Sequence, residues 1–456
     1  MSSVTREGSV QLLGEVLSGP VFAAGDPGYD EARRVHNGLI NKHPAVIARC
    51  LHTADVADAV NVGRSEGVEI SVRGGGHGVA GKAVTEGGLM IDLSLMKGIH
   101  VDPARSVVRA QAGVTVGELD RATAAFGLAT PSGVVSSTGI AGLTLGGGIA
   151  WLMGKHGMAV DNLLSAEVVL ASGEVVTASE DADPDLFWAL RGGGGNFGVV
   201  TSFEYRTHPF ASVLAGPVLH PLAAAPQLFS FYREFAADLP DELSTQAVFL
   251  HAPDGSGTKL CGIALCHAGD DADRADADVR PLRRFGSPAA DMIQRMPYPV
   301  LNTGVDWLSP TGSLRYWKSA FFSELSDPAV QVMAGAFERA PSELCALVVE
   351  DFHGAVTRVA PTATAYPHRE PGYNLFLISQ WTDPAQTDTG IAWARETFDA
   401  LSPYMADRSY TNYLPADDYD RVRHAYGPNY ERLVELKRRY DPDNLFRLNH
   451  NIDPEG

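Results

Sequence analysis

His77 lies in a stretch almost without side chains, Gly74-Gly75-Gly76-His77-Gly78-Val79-Ala80-Gly81, directly after an apolar run. An imidazole so placed can approach a flat ligand at close range, although an incidental loop histidine would look the same in sequence. Residues 76–81 also satisfy G-x-G-x-x-G, with Asp92 downstream as a possible ribose acid. That fingerprint needs a helix directly after its last glycine. Here Gly87-Gly88 interrupts the chain before a helical turn could nucleate, so the dinucleotide reading fails on context. Three glycine-rich turns, at 73–81, 138–148 and 191–198, offer another chemistry. Their backbone amides can converge as nests that hold a pyrophosphate without any helix. Any one of them alone reads equally well as a tight turn.

Other polar residues fall in apolar settings. Glu350, Asp351 and His353 sit in a strand-like run, where alternation puts Asp351 and His353 on one face and Glu350 on the other. A solvated acidic turn is the competing reading. His368-Arg369 follows a second such run, and Asn449 and Asn451 could touch a ligand or cap a turn after Phe446. Trp151, Trp307, Tyr316, Trp317 and Trp381 could line an aromatic pocket or fill a core. The four cysteines form no C-x-x-C pair, and Cys261 and Cys266 read as buried free thiols. Zinc-protease and α/β-hydrolase motifs are absent from the sequence.

The elements that must position these groups follow from pattern. Strands are expected at 45–50, 68–73, 89–96 and 107–113, with a helix from an N-cap at Thr53 to a stop at Gly67. A second helix is expected within 114–127, with Val116, Leu119 and Ala122 or Thr123 on one face. A hairpin turns around Ser172-Gly173. Past Pro209 the glycine clusters stop, and helices alternate with strands in an α+β unit of different character. An amphipathic helix then ends at Asp441-Pro442.

At 456 residues the chain exceeds one ordinary core. Its formal charge of -19 disfavours nucleic acid and anionic lipid as partners. No apolar run reaches the roughly 18 residues of a membrane span, and the first residues carry no export pattern, so a cytoplasmic protein is expected. The oligomeric state is left open.

Several motifs together resemble the berberine-bridge-enzyme-like branch of the vanillyl-alcohol oxidase and p-cresol methylhydroxylase (PCMH-type) superfamily. They are RGGGHGVAG, LMIDLS, the valine-glycine stretch at 108–119, GIAGLTLGGGIAWLMGKHG, Tyr410-Thr411-Asn412-Tyr413 and the run at 426–452. The resemblance implies an α+β fold: an FAD-binding domain in two parts, 1–208 and 410–456. A substrate domain at 209–409, built on an antiparallel sheet with helices, is inserted between them. His77 takes the place of the histidine that bonds the flavin 8α-methyl carbon. Val135 stands where many relatives carry a second, cysteine tether, so FAD would be held covalently through a single histidine.

The same resemblance assigns cofactor contacts to Arg73, Gly74, Gly75, Gly76, Gly78 and Val79, and to Pro131, Gly133, Thr138, Gly139 and Gly142. It adds Gly146, Gly147, Gly148, His156, Gly157, Asp161, Asn196, Val200, Asn449 and Asn451. Tyr413 is the first choice for the catalytic base, Tyr410 the second, and Glu350 an acidic residue of the substrate sheet that could assist. Both tyrosines could instead pack at the domain seam with their hydroxyls bonded. A tyrosine base needs a neighbour that stabilises its phenolate, since the free side chain titrates near about 10.

The implied activity is an oxidase that moves a hydride from a small alcohol, sugar, amine or specialised metabolite to flavin N5, with oxygen giving peroxide. A dehydrogenase with another acceptor, or a non-catalytic flavin-binding protein, are the alternatives. Thr138, three residues past the second-tether place, would border the flavin edge that meets oxygen.

Overall fold

The computed structural model describes residues 11–210 and 212–456. Near the N-terminus, β1 (Val21–Ala23), β2 (Val46–Arg49), β3 (Ile70–Arg73) and β4 (Leu89–Asp92) form a sheet in the order β1-β2-β4-β3. Strand β4 runs parallel to both β2 and β3. Parallel neighbours need a crossover, usually a helix. Helix Thr53–Ser65 lies between β2 and β3 in the chain. Its N-cap is His52 rather than the expected Thr53, which is already helical and gives its hydroxyl to Glu167 Oε1 at 2.7 Å. The β3-to-β4 crossover has no helix, and residues 74–88, with His77 among them, make it as a loop.

A second, antiparallel sheet joins β5 (Ile99–Asp102), β6 (Val107–Gln111), β8 (Leu163–Val169), β9 (Val175–Ser179) and β10 (Val199–Arg206) in the order β5-β6-β10-β8-β9. The expected hairpin is β8–β9, with Gly173 at φ +86° in its turn. A short β7 (Leu128–Ala129) pairs with β11 (His208–Pro209). Helix Val116–Ala124 opens on a capping box in which the Glu118 carboxylate accepts from Thr115 N at 2.8 Å. It buries Val116 and Leu119, and of the two expected alternatives it buries Thr123 and leaves Ala122 half-buried.

The inserted part is one antiparallel sheet of eight strands: β12 (Val213–Pro221), β13 (Leu243–His251), β14 (Lys259–His267), the short β15 (Ala290–Asp291) and β16 (Gln294–Met296), β17 (Leu314–Phe322), β18 (Ala346–Phe352) and β19 (Gly372–Trp381). Its main order is β12-β14-β13-β18-β19-β17. One face packs on helices Ala225–Ala236, Asp327–Glu338 and Thr387–Leu401. The core of the two N-terminal sheets takes in Tyr426, Leu433, Val434, Tyr440 and Phe446 from the other end of the chain. Helix Tyr430–Tyr440 ends where the buried Asp441 carboxylate accepts from Leu445 N (2.8 Å) and Phe446 N (2.9 Å). No helix among the described residues is long and apolar enough to cross a membrane.

Candidate active site

The first two glycine turns pack backbone to backbone. A Cβ on Gly75 would lie 2.4 Å from Gly139 N, so neither position admits a side chain. The third turn meets the C-terminal segment, where a Cβ on Gly195 would fall 2.8 Å from Asn449 Oδ1. Between these turns and the free face of the eight-stranded sheet lies a cavity of about 500 Å³. Gly74, Gly75, Gly76, His77, Gly78, Val79, Thr138, Gly139, Gly142, Gly146, Asn196, Val200 and Asn449 all line it, as does Val135.

The His77 ring stacks on His36 with centroids 3.9 Å apart, and its Nε2 is buried with no hydrogen-bond partner among the described residues. Burial, aided by the nearby Arg315 guanidinium, pushes its pKa down to about 3, so the ring is neutral at physiological pH. His36 is held by hydroxyls on both nitrogens, Thr311 Oγ1 and Ser309 Oγ, each at 3.1 Å. Asn37 then clips the histidine loop to the inserted sheet. Its Nδ2 donates to Val79 O (2.9 Å) and Arg315 O (3.1 Å), while its Oδ1 accepts from Arg315 N (3.1 Å). Sequence reading did not single out His36 or Asn37, since nothing local marks a partner 40 residues from one contact and hundreds from the other.

Glu350 projects into the same cavity from β18, while Asp351 and His353 pair with each other elsewhere, as alternation requires. The acidic-turn reading does not hold, because Glu350 is only 1% exposed. The Tyr413 hydroxyl donates to Glu350 Oε1 at 2.9 Å, and Asn374 Nδ2 donates to Oε2 at 2.6 Å. Burial raises the Glu350 pKa to about 7 despite those two donors. Burial and the Glu350 charge hold the Tyr413 phenol well above its ordinary range. The Tyr413 ring stacks on Phe376 at 3.8 Å and meets Trp317 edge-on at 6.3 Å.

Tyr410 has a different environment. Its hydroxyl oxygen accepts from Gly148 N (2.9 Å), Ile149 N (3.4 Å) and Asn412 Nδ2 (2.8 Å), and burial pushes its pKa up to about 12. The neighbour found for Tyr413 is thus a carboxylate, whereas the donors that would favour a phenolate surround Tyr410.

Several expected cofactor contacts do not reach the cavity wall. Arg73 is bound through Nε to Asp92 Oδ1 (2.9 Å) and through Nη1 to Arg34 O (2.8 Å). Asp92, weighed as a ribose acid, is wholly buried and also holds Arg49. Asp161 is taken by Arg369 in a two-pronged bond of 2.7 and 2.8 Å, and Gly157 turns tightly over its carboxylate. His156 stacks on His208 at 3.7 Å. Gly147 and Gly148 bond their carbonyls to Val160 N and Ala159 N. Pro131 is buried behind the turn, and Gly133 packs against Leu143 and Val116. Asn451 keeps a buried, unpartnered Oδ1 away from the wall.

His368 donates to Ala425 O at 2.9 Å, outside the site. Of the five aromatics, Trp151, Trp307 and Trp317 line the cavity. Strand alternation turns Tyr316 and Trp381 to the opposite face, into the helix-backed core.

The residues present fit an FAD. His77 lines the cavity with its buried Nε2 unpartnered among the described residues, and a Cβ on Gly78 or Gly142 would meet no protein atom within 4 Å, so both turns leave open space for a ligand. The amides of Gly74, Gly75, Gly76 and Gly78 donate to no backbone carbonyl among the described residues. Such a set of free amides in glycine turns is a nest for anionic groups.

The fold and this cavity define an FAD-linked oxidoreductase. Residues 44–179 match the FAD binding domain family, and residues 409–453 match the family described as berberine and berberine like. The chain is 33% identical to (R)-6-hydroxynicotine oxidase of Paenarthrobacter nicotinovorans over 456 residues, covering 96% of this chain and 98% of that one. It is 30% identical to an FAD-linked oxidoreductase of Dictyostelium discoideum over 464 residues, covering 100% and 99%. The solved structure of 6-hydroxy-D-nicotine oxidase from Arthrobacter nicotinovorans superposes with a TM-score of 0.87 at 31% identity, covering 96% and 98%. The chain belongs to the berberine-bridge-enzyme-like family of FAD-dependent oxidoreductases.

Proposed function

We propose that the chain is an FAD-linked oxidase of a small organic molecule, with Glu350 as proton acceptor and molecular oxygen as the final electron acceptor. The observation that carries this reading is one cavity lined both by the neutral His77 imidazole, whose Nε2 has no hydrogen-bond partner among the described residues, and by the Glu350–Tyr413 pair. FAD, when bound, supplies the acceptor for two electrons and one hydrogen of the substrate.

Glu350 takes the proton from the substrate O–H or N–H, and a pKa of about 7 suits a group that must both accept and release it near neutrality. Tyr413 orients that carboxylate and completes the wall, rather than acting alone as a phenolate base. Asn374 fixes the other carboxylate oxygen. His77 carries FAD through a single covalent bond, a reading supported by its neutral ring, by Val135, which has no sulfur, and by the four cysteines, none of which lines the cavity. The similarity to a hydroxynicotine oxidase, in sequence and in structure, supports oxygen as acceptor.

The test is an oxygen electrode coupled to peroxide detection on the native protein, with a separate sample precipitated in acid to learn whether its flavin stays bound. One peroxide per substrate oxidised is expected. A substrate that bleaches the flavin without any peroxide would remove the oxidase reading.

A further inference from the structure

The register of the eight-stranded sheet sorts its cavity face by polarity. Gln246 of β13 lies opposite Glu350 of β18, which lies opposite Asn374 of β19, and these three make one polar row. The next row on the same face is Val248, Val348 and Phe376, and it ends at the buried Ser319 of β17, whose hydroxyl is spent on Asn374 Oδ1 at 3.0 Å. The row beyond is Ala346, Ile378 and Trp317. Directly opposed side chains on one face are near neighbours, so each row is a continuous strip. Glu350 is the sole acidic or basic side chain that the sheet gives to the cavity wall. Arg315, next along β17, is turned into Ser313 Oγ at 2.9 Å and Ser309 Oγ at 3.2 Å. The segment facing the apolar rows adds Leu301, Val305, Trp307 and Leu308.

We propose that the substrate is amphipathic, with a hydroxyl or amine head read by Glu350 and Gln246 and a flat apolar body of two to three rings lying along the other rows. The inference rests on reading this cavity as the substrate site. From Glu350 to Ala346 the strand advances about 13 Å at about 3.3 Å per residue, which sets the length of the body. The apolar strips offer no partner for a sugar's hydroxyls or for a carboxylate on that body, Gln380 just beyond them gives its Nε2 to Leu308 O at 3.2 Å, and burying such groups unpaired is costly. The reaction balances as H–C–X–H to C=X, where X is oxygen or nitrogen. The X–H proton goes to Glu350, and the C–H hydrogen goes with two electrons to FAD.

The experiment titrates FAD-loaded, full-length protein without oxygen and follows the absorbance of the bound flavin. The probes are naphthylmethanol, its ring-carboxylated analogue and cellobiose. Naphthylmethanol is expected to bind at least about tenfold more tightly than either competitor, a factor worth about 1.4 kcal/mol. Val348→Asp should weaken it by about tenfold or more, and the near-isosteric Val348→Thr by a few-fold with flavin content unchanged. Equal or tighter binding of cellobiose or the carboxylate overturns the proposal, and so does a naphthyl probe that leaves the spectrum unmoved. If naphthylmethanol binds selectively but no probe of its class reduces the flavin, the substrate class stands and the oxidase reading loses its support. If cellobiose reduces the flavin where the aromatic fails to bind, the oxidase reading stands and the class falls.

Discussion

Replacing Glu350 by glutamine isolates one ionisation in an otherwise conserved setting. The amide has the carboxylate's shape, so Oε1 can still accept from the Tyr413 hydroxyl. Its new NH₂ would face Asn374 Nδ2, but Asn374 can turn its amide over because its other contact, Ser319 Oγ at 3.0 Å, is a hydroxyl that donates or accepts equally well. What is lost is the proton acceptor. Removing a positioned base lowers the rate by about 10²- to 10⁴-fold.

The acid limb of the pH profile should vanish as well. In the wild type, activity should rise through a pKa of about 7 as Glu350 ionises, and the variant should lack that rise. Stability supplies an independent reading. The native pKa of about 7 lies above the ordinary 4.5, so native protein keeps the proton where unfolded chain has released it. Stability is therefore fully present below pH 4.5 and is lost as pH climbs towards 7. The loss is about 3 kcal/mol, at about 1.36 kcal/mol per pH decade. Glu350→Gln should abolish that component and be more stable than wild type above pH 7 by a similar amount.

Stopped-flow reduction of the flavin across pH measures the first effect, and denaturant titrations at several pH values measure the second. A variant that reduces its flavin at the wild-type rate with the acid limb intact would refute the assignment of Glu350.

Three further substitutions test other parts of the site. His77→Ala should release its flavin on acid precipitation where wild type stays yellow, and wild-type flavin coming free would refute the covalent bond. Tyr413→Phe should slow flavin reduction by about tenfold or more while weakening substrate binding far less, and unchanged reduction would remove Tyr413 from the reaction. Thr138 lines the cavity. A leucine there should slow reoxidation by oxygen in stopped flow while leaving reduction nearly unchanged, whereas sluggish reoxidation of wild type would favour a dehydrogenase.

The histidine and its glycine setting were legible because they are local. A run of residues without side chains can be read directly, and the missing helix after Gly81 already excluded the dinucleotide fold that its pattern imitates. The parallel β3–β4 pair explains that failure physically, since the loop itself is the crossover. The β8–β9 hairpin and the separation of Glu350 from Asp351 and His353 were legible for the same reason, because period-two alternation survives without tertiary information, but which of the two faces meets the cavity was not. The partner of Glu350 was not. Asn374 reaches it through the β18–β19 register, which depends on where two strands 24 residues apart align. Asp161 and Arg73, assigned to the cofactor by resemblance, hold ion pairs with Arg369 and Asp92 that join separate segments and so leave no local mark in the sequence.

The two tyrosines of the C-terminal motif also separate only in three dimensions, and mutagenesis alone would blur them again. The Tyr410 hydroxyl is spent on the turn, holding Gly148 N and Ile149 N beside the cavity. Tyr410→Phe strands two buried amide groups, and each unsatisfied group costs about 1–3 kcal/mol. The turn that bears Gly146 and Gly142 should then loosen, and activity will fall even if Glu350 alone takes the proton, because Tyr410 supports that turn as well as lining the cavity. A drop in rate therefore cannot distinguish support from base. The pH profile can, because a supporting role leaves the ionisation of Glu350 in place. Tyr410→Phe should lower the whole profile and flavin retention while keeping the rise near pH 7. If instead that rise disappears in Tyr410→Phe and persists in Glu350→Gln, the base is Tyr410 and the proton goes to the turn rather than to the sheet.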